Sequence, residues 1–142
     1  MTNAKSNYGT LLKVGDAGTP TETFAVIGEV VSIDPPEIMA EAIEATNHSS
    51  GGWREFIPSG LKEISEFSAT INFVDADVTA IYTDLIAGNL RNYQIAFPDD
   101  GSTTWTFGSL VVGLKVLGAD ATSPEALQAE VKFQPSGANT LA

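Results

Sequence analysis

The chain contains 142 residues, no Cys, and a formal net charge of −11 at pH 7. The absence of Cys excludes disulfides, thiolate metal ligands and Cys nucleophiles. The acid excess argues against ordinary nucleic-acid binding, which relies on Lys and Arg to displace counterions from phosphate. Residues 1–23 contain no apolar run of signal-peptide type, and no stretch approaches the roughly 18 apolar residues of a membrane-spanning helix. We therefore expect a single domain over 1–142 with neither an export signal nor a membrane segment.

The first predicted strand covers 24–33 (FAVIGEVVSI), a β-rich and nearly continuous apolar run that Pro35 and Pro36 end. The next segment, 37–46 (EIMAEAIEAT), is ambiguous. Its apolar residues have helical spacing, and Glu, Ala and Met favour a helix. Local sequence alone therefore predicts a helix at 37–46.

The stretch 47–63 (NHSSGGWREFIPSGLKE) concentrates scarce residues among helix and strand breakers. It holds the single His, one of the two Trp and two of the seven cationic residues of the chain. Trp53, Phe56 and Ile57 are candidate anchors in a loop too rich in Gly to form one continuous element. Trp and Arg on a loop are typical of interface hot spots. The alternative is a loop that folds back onto its own core.

The remaining strands are predicted by period-two alternation at 67–73, 93–97, 103–117 and 127–133. The run 103–117 changes phase after Gly108, which indicates a β-bulge. One helix is predicted at about 77–88, capped by Asp75 or Asp77 and closed by Gly88 or Asn89. The segment 99–101 (DDG) reads as a hairpin turn. The pattern predicts a mainly β fold, a sandwich or small barrel with one flanking helix.

No candidate for catalysis or metal binding has a supporting pattern. His48 has no second His and no Cys with which to bind a metal, so carboxylates would have to supply all the other ligands. Asp75 and Asp77 lack the twelve-residue calcium-loop pattern and are explained by helix capping. No phosphate loop and no G-x-S-x-G motif occurs. We expect no catalytic residue, no cofactor and no metal, and hence no enzyme.

The segment 45–74 (ATNHSSGGWREFIPSGLKEISEFSATINFV) resembles the loop-and-strand signature of the tail tube proteins, or major tail proteins, of long-tailed bacteriophages. The resemblance continues through the helix and 91–114 and covers most of the chain. The residues that match this signature are Thr46, His48, Gly52, Trp53, Arg54, Glu55, Phe56, Ile57, Gly60, Leu61 and Lys62.

This resemblance implies a structural protein of the virion tail, synthesised in the host cytoplasm. Its hexameric rings would stack into a hollow tube, walled by an inter-subunit β-barrel, through which DNA passes without specific binding. The implied partners are further copies of the chain, tail initiator or baseplate proteins, the tape-measure protein and the tail terminator. The resemblance also replaces the local helix at 37–46 with a strand that lines the lumen.

The resemblance assigns further roles along the chain. A long loop at about 47–60 would reach a neighbouring ring, between a flexible N-terminal segment at about 1–9 and a short C-terminal tail at about 136–142. Its expected assembly residues are His48, Trp53, Arg54, Glu55, Phe56 and Ile57. The expected acidic lumen residues, which would repel phosphate, are Glu29, Glu41 and Glu44.

A competing hypothesis is an acidic β-sandwich that binds a carbohydrate or a host surface through Trp53 and Trp105. Such a protein would be a monomer or a small closed oligomer rather than a subunit of a tube.

Overall fold

A computed structural model describes residues 8–16, 21–27, 29–98, 103–117, 122 and 127–142. Within these ranges the chain forms one helix and nine strands. In chain order the elements are β1 (Leu11–Gly15), β2 (Phe24–Val26), β3 (Val30–Asp34), β4 (Ile38–Glu44), β5 (Phe56–Ile64), β6 (Phe67–Asn72), α1 (Asp75–Ala87), β7 (Arg91–Ala96), β8 (Thr104–Leu117) and β9 (Gln128–Leu141).

Seven strands form one antiparallel sheet in the order β2-β1-β7-β8-β9-β6-β3. The sheet curls so that β3, at one edge, approaches β1 near the other edge, and a groove of about 650 Å³ separates them. The predicted mainly β fold with one flanking helix is confirmed. The strands predicted at 67–73, 93–97, 103–117 and 127–133 are β6, β7, β8 and β9.

The core is built around aromatic side chains from the central strands. The Phe67 ring stacks on Phe133 at 4.7 Å and meets the edge of Phe107 at 5.2 Å. Tyr93 packs edge-on against Phe133 at 4.9 Å between ring centroids. These four side chains are each at most 2% exposed. Because such rings bury large areas and prefer these geometries, they fix the inner face of β6, β7, β8 and β9.

The predicted strand at 24–33 is two strands at opposite edges of the sheet, so that prediction was wrong. The Ile27 amide still donates to the Leu12 carbonyl of β1 at 2.8 Å. Two residues later, the Glu29 carbonyl accepts from the Asn72 amide, next to β6, at 2.8 Å. The chain therefore changes edges between Ile27 and Glu29, which a continuous apolar run does not reveal.

The helix α1 begins and ends close to the predicted positions, but its N-terminal cap differs. Val74 occupies the N-cap without a side-chain hydrogen bond, and Asp75 and Asp77 lie inside the first turn. In the first turn, their negative charges stabilise the helix through its dipole, whose N-terminal end is positive, and they do not cap it. Gly88 closes the helix at φ +69°, a left-handed conformation that suits Gly, as predicted.

A partly buried ion pair ties the end of α1 to β7. Asp84, which is 7% exposed, accepts hydrogen bonds from Arg91 Nε at 2.8 Å and from Asn89 Nδ2 at 3.1 Å. The helix thus joins the sheet through charge as well as through Val78 and Ile81, both of which are buried.

The long pair β8–β9 contains the predicted irregularity. Its register shifts between Phe107 and Gly108 and again between Val111 and Gly113, in agreement with the phase change in the sequence. β9 runs to Leu141, so residues 136–141 belong to a strand and not to a separate tail. The Phe97 amide donates a hydrogen bond to the Thr103 carbonyl at 3.0 Å, across the connection between β7 and β8. The predicted turn at 99–101 lies outside the described residues, as does most of the predicted segment at 1–9.

Candidate functional site: a hairpin outside the main sheet

The strands β4 and β5 pair with each other and with no other strand of the described ranges. Their base is attached to the domain. Ile64 is buried in the core, the Ser65 amide donates to the Glu37 carbonyl at 2.9 Å, and the Glu37 amide donates to Ser65 Oγ at 2.8 Å. Segment 37–46 is therefore a strand over Ile38–Glu44, as the family resemblance implied and local composition did not.

The middle of this hairpin contains a bulge on β5. Ala42 lies opposite Pro58, whereas Ala40 lies opposite Lys62, so β5 has extra residues between the two pairs. Gly60 adopts φ +86° there, which side chains with a Cβ rarely accept. Ser59 Oγ accepts from the Leu61 amide at 3.1 Å and donates to Glu41 at 3.4 Å. The bulge thus has its own hydrogen bonds.

The turn at 45–55 is organised by side-chain hydrogen bonds. Asn47 Oδ1 accepts from the Ser49 amide at 2.8 Å, and Ser50 Oγ accepts from the Asn47 amide at 3.0 Å. Ser50 Oγ donates in turn to the Glu55 carboxylate at 2.8 Å, and Thr46 Oγ1 accepts from the Glu55 amide at 3.0 Å. Asn and Ser favour such local contacts, which define the conformation of the turn.

All six predicted assembly residues lie on this turn or at the start of β5, and all are exposed: His48, Trp53, Arg54, Glu55, Phe56 and Ile57. Trp53 is 79% exposed, Phe56 57% and Ile57 52%. The alternative in which the loop folds back onto its own core is excluded by this exposure. The predicted loop at about 47–60 is shorter than expected because β5 begins at Phe56.

Sequence reasoning missed other apolar residues of the hairpin. Ile38, Ile43 and Leu61 are also exposed, at 46%, 48% and 69%. Ile43 lies directly opposite Ile57, and on the other face Phe56 lies opposite Glu44. Both faces of the ribbon therefore present apolar side chains. The helix-like spacing of 37–46 concealed them, and only the pairing with β5 reveals them.

The predicted lumen acids Glu29, Glu41 and Glu44 are exposed. Glu29 precedes β3, at the edge of the main sheet. Glu41 and Glu44 are three residues apart on β4, and strand residues three apart point to opposite faces. Their carboxylates contact different partners, Ser59 and Thr46 respectively. These two residues consequently do not form a pair on one surface.

The binding-module hypothesis fails at Trp105. This residue is 7% exposed, its indole N–H donates to Asn139 Oδ1 at 3.0 Å, and its ring packs edge-on against Phe107. Trp105 is a core residue and does not join Trp53 in a ligand-binding surface. Among the described residues, no group of His, Asp and Glu is arranged to hold a metal ion. In the same ranges, no helix has the length and apolar character needed to cross a membrane.

Comparison with known proteins gives the family. The family model for the lambda phage tail tube protein matches residues 13–142. The chain belongs to the lambda phage tail tube protein family. No curated protein sequence matches the chain. A tail tube protein is a structural component of the virion tail and not an enzyme. The predicted structural role in the tail and the prediction that the protein is not an enzyme are therefore confirmed.

Solved structures share the tail tube fold at low sequence identity. A chain from the tail of an empty gene transfer agent particle, refined with C6 symmetry, is 20% identical with a TM-score of 0.75. That match covers 98% of this tail tube protein and 99% of the relative. A chain from the six-fold symmetrised baseplate of the anti-feeding prophage is 12% identical with a TM-score of 0.73, covering 100% and 97%. A third, from the sheath/tube terminator of an extracellular contractile injection system, is 15% identical with a TM-score of 0.71, covering 100% and 99%.

Proposed function

We propose that this tail tube protein forms hexameric rings which stack into a hollow tube, and that the β4–β5 hairpin is the arm that joins one ring to the next. The observation on which this rests is the hairpin itself. An isolated two-stranded ribbon is at best marginally stable in water, because it needs a third strand or a packed face. In the single chain, both faces of this ribbon expose apolar side chains.

In a tube, a neighbouring copy would cover the apolar side chains that the hairpin exposes in the described part of the chain. A contact in which a hairpin docks on a different surface of the next copy is heterologous, and such contacts generate rings or open stacks. Several equivalent arms act at once between two rings, so a modest gain per arm becomes a large one per ring. The six-fold symmetry applied to two structural relatives supports the hexamer.

The proposed partners follow from the position of such a tube in a tail. We infer that stacking begins on an initiator or baseplate complex, is limited by a tape-measure protein, and ends at a terminator. The relatives in a baseplate and at a sheath/tube terminator support the first and last of these partners. Double-stranded DNA would pass through the lumen without specific binding.

Electron microscopy and light scattering of the purified protein over a concentration series test this proposal. We expect hexamer-sized rings and tubes to appear as the concentration rises. A species that stays strictly monomeric at high concentration, with and without the initiator complex, would overturn the proposal.

A further inference from the structure

The outer face of α1 carries a stripe of exposed side chains along the length of the helix. Asp75, Thr79, Tyr82 and Ile86 are separated by four, three and four residues, a spacing that places them on one face of an α-helix. All four are exposed, Tyr82 at 56% and Ile86 at 70%. We call these four side chains the helix ridge.

The helix ridge is acidic at one end and apolar at the other. Asp75 lies in the first turn, where its carboxylate accepts a hydrogen bond from Thr79 Oγ1 at 3.5 Å. At a rise of 1.5 Å per residue, Tyr82 lies about 10 Å further along the axis and Ile86 about 6 Å beyond it. The two carboxylates of the first turn, Asp75 and Asp77, outweigh the partial positive charge of about half a unit at the helix N-terminus. The ridge is therefore complementary to a surface that presents a cation next to a large apolar group.

The turn of the β4–β5 hairpin presents such a pair. Trp53 is 79% exposed, and the neighbouring Arg54 is exposed and forms no ion pair within the described part of the chain. The adjacent carboxylate of Glu55 is held inside the turn, where it accepts from Ser50 Oγ at 2.8 Å. Trp53 and Arg54 have long side chains on consecutive residues. Together they can span the two helical turns between the acidic and the apolar end of the helix ridge.

We propose that the helix ridge is the acceptor for the hairpin turn of a second copy of the chain, in the next ring. This inference rests on the proposed tube function and names the surface on which each arm docks. In this contact the Trp53 indole lies against Tyr82 and Ile86, and the Arg54 guanidinium pairs with the Asp75 carboxylate. The buried indole contributes most of the affinity, and the charge pair fixes the orientation. Because the two surfaces are different parts of the same chain, the contact is heterologous and repeats from ring to ring.

Substitution on the helix ridge tests the apolar part of this contact. Ile86→Gln keeps a good helix former at an exposed position, so the free subunit should keep its melting temperature. We expect the protein concentration at which tubes appear to rise by roughly tenfold or more, because the weakened contact is repeated between two rings. Single rings should persist. The matched control Ala87→Gln, also exposed but about 100° round the helix, should assemble normally. Normal tubes from Ile86→Gln, or loss of the rings themselves, would overturn the inference.

A charge swap tests which surface docks on the helix ridge. Arg54→Glu and Asp75→Arg should each weaken tubes, because each brings two like charges into contact. The double variant Arg54→Glu with Asp75→Arg should restore tubes, since it rebuilds the pair in the opposite order. The control Lys62→Glu with Asp75→Arg has the same net charge and also reverses a cation of the hairpin, but it should stay defective. The melting temperature of each free subunit shows whether the variant is folded.

The results of the charge swap separate this inference from the function on which it rests. Absence of tubes in the natural protein over the whole concentration series would overturn the proposed function, and the inference with it. Natural tubes combined with normal assembly of both single variants, or with a double variant that restores nothing, would overturn the inference alone. We expect restoration by the double variant and none by its control.

Discussion

Tyr93 illustrates how the core fixes the chemistry of a single residue. Burial raises the pKa of its phenol from 10.0 to about 12, with the nearby Asp84 carboxylate acting in the same direction. The folded state therefore prefers the neutral phenol, whereas the unfolded chain ionises near the ordinary value. The stabilisation is complete below pH 10 and is lost as the pH rises towards 12.

We expect the free energy of unfolding to fall over pH 10–12, with a contribution from Tyr93 of at most about 3 kcal/mol. Denaturant unfolding across this range measures it. Tyr93→Phe should remove that part of the decline, and Tyr82→Phe, at an exposed position on α1, should not. Identical alkaline slopes for the natural protein and Tyr93→Phe would show that the phenol does not titrate in this way.

Glu41 and Glu44 give a second prediction for single residues. Because they point to opposite faces of β4, at most one of them faces the lumen. Of the two variants Glu41→Lys and Glu44→Lys, we expect only one to slow the release of DNA. The other should release DNA at the natural rate, with or without a change in ring assembly. Glu41→Gln and Glu44→Gln separate loss of charge from reversal of charge. Two Lys variants with normal release would refute a lumen role for either residue.

At the level of elements, the hairpin is the part of the fold that sequence patterns describe least well. The strands β6, β7 and β9 were predicted from alternation because each has one face in the core and one in water. β4 is exposed almost throughout within the single chain, so no such alternation arises. Its composition favours a helix, and pairing with β5 overrides that preference. Resemblance to the family identified the strand, but only the structure gives its register.

The hairpin and the end of β9 should differ in hydrogen exchange. In the free subunit, amides of β4 and β5 should exchange faster than those of β6 and β9, because both faces of the ribbon expose apolar side chains within the described part of the chain. They should become protected in tubes. Residues 136–141 should be protected in both states, since they pair with β8. We also expect residues 1–9, predicted from sequence to be flexible, to become protected on assembly.

This pattern is measurable by mass spectrometry on the free subunit and on sedimented tubes. Equal protection of the hairpin in both states would mean that it makes no new contact on assembly, which is contrary to the role proposed for it.

At the level of the whole molecule, the hairpin and the outer face of α1 both expose large apolar side chains. Sequence alone predicted the fold class, α1 and most strands, because these depend on periodicity within one chain. It did not predict which acids share a face, since the register of β4 and β5 depends on a bulge at Gly60. The competing binding-module hypothesis misplaced Trp105, whose indole bonds to Asn139, a residue distant in sequence, and packs against Phe107.

The two Trp residues allow the central proposal, that the hairpin is the assembly arm, to be tested in one pair of variants. Trp53 is 79% exposed and lies outside the core, whereas Trp105 is 7% exposed and hydrogen-bonded. Burial of an indole in an interface contributes roughly 2–4 kcal/mol by hot-spot precedent. Removal of Trp53 should therefore affect assembly, and removal of Trp105 should affect folding.

The decisive measurement is electron microscopy of Trp53→Ala over a concentration series, together with the melting temperature of its free subunit. We predict that tubes disappear or require much higher protein concentrations, while the melting temperature stays at the natural value. Trp105→Ala should instead lower the melting temperature. A Trp53→Ala protein that builds tubes at the natural concentration, or whose free subunit is destabilised, would contradict the account.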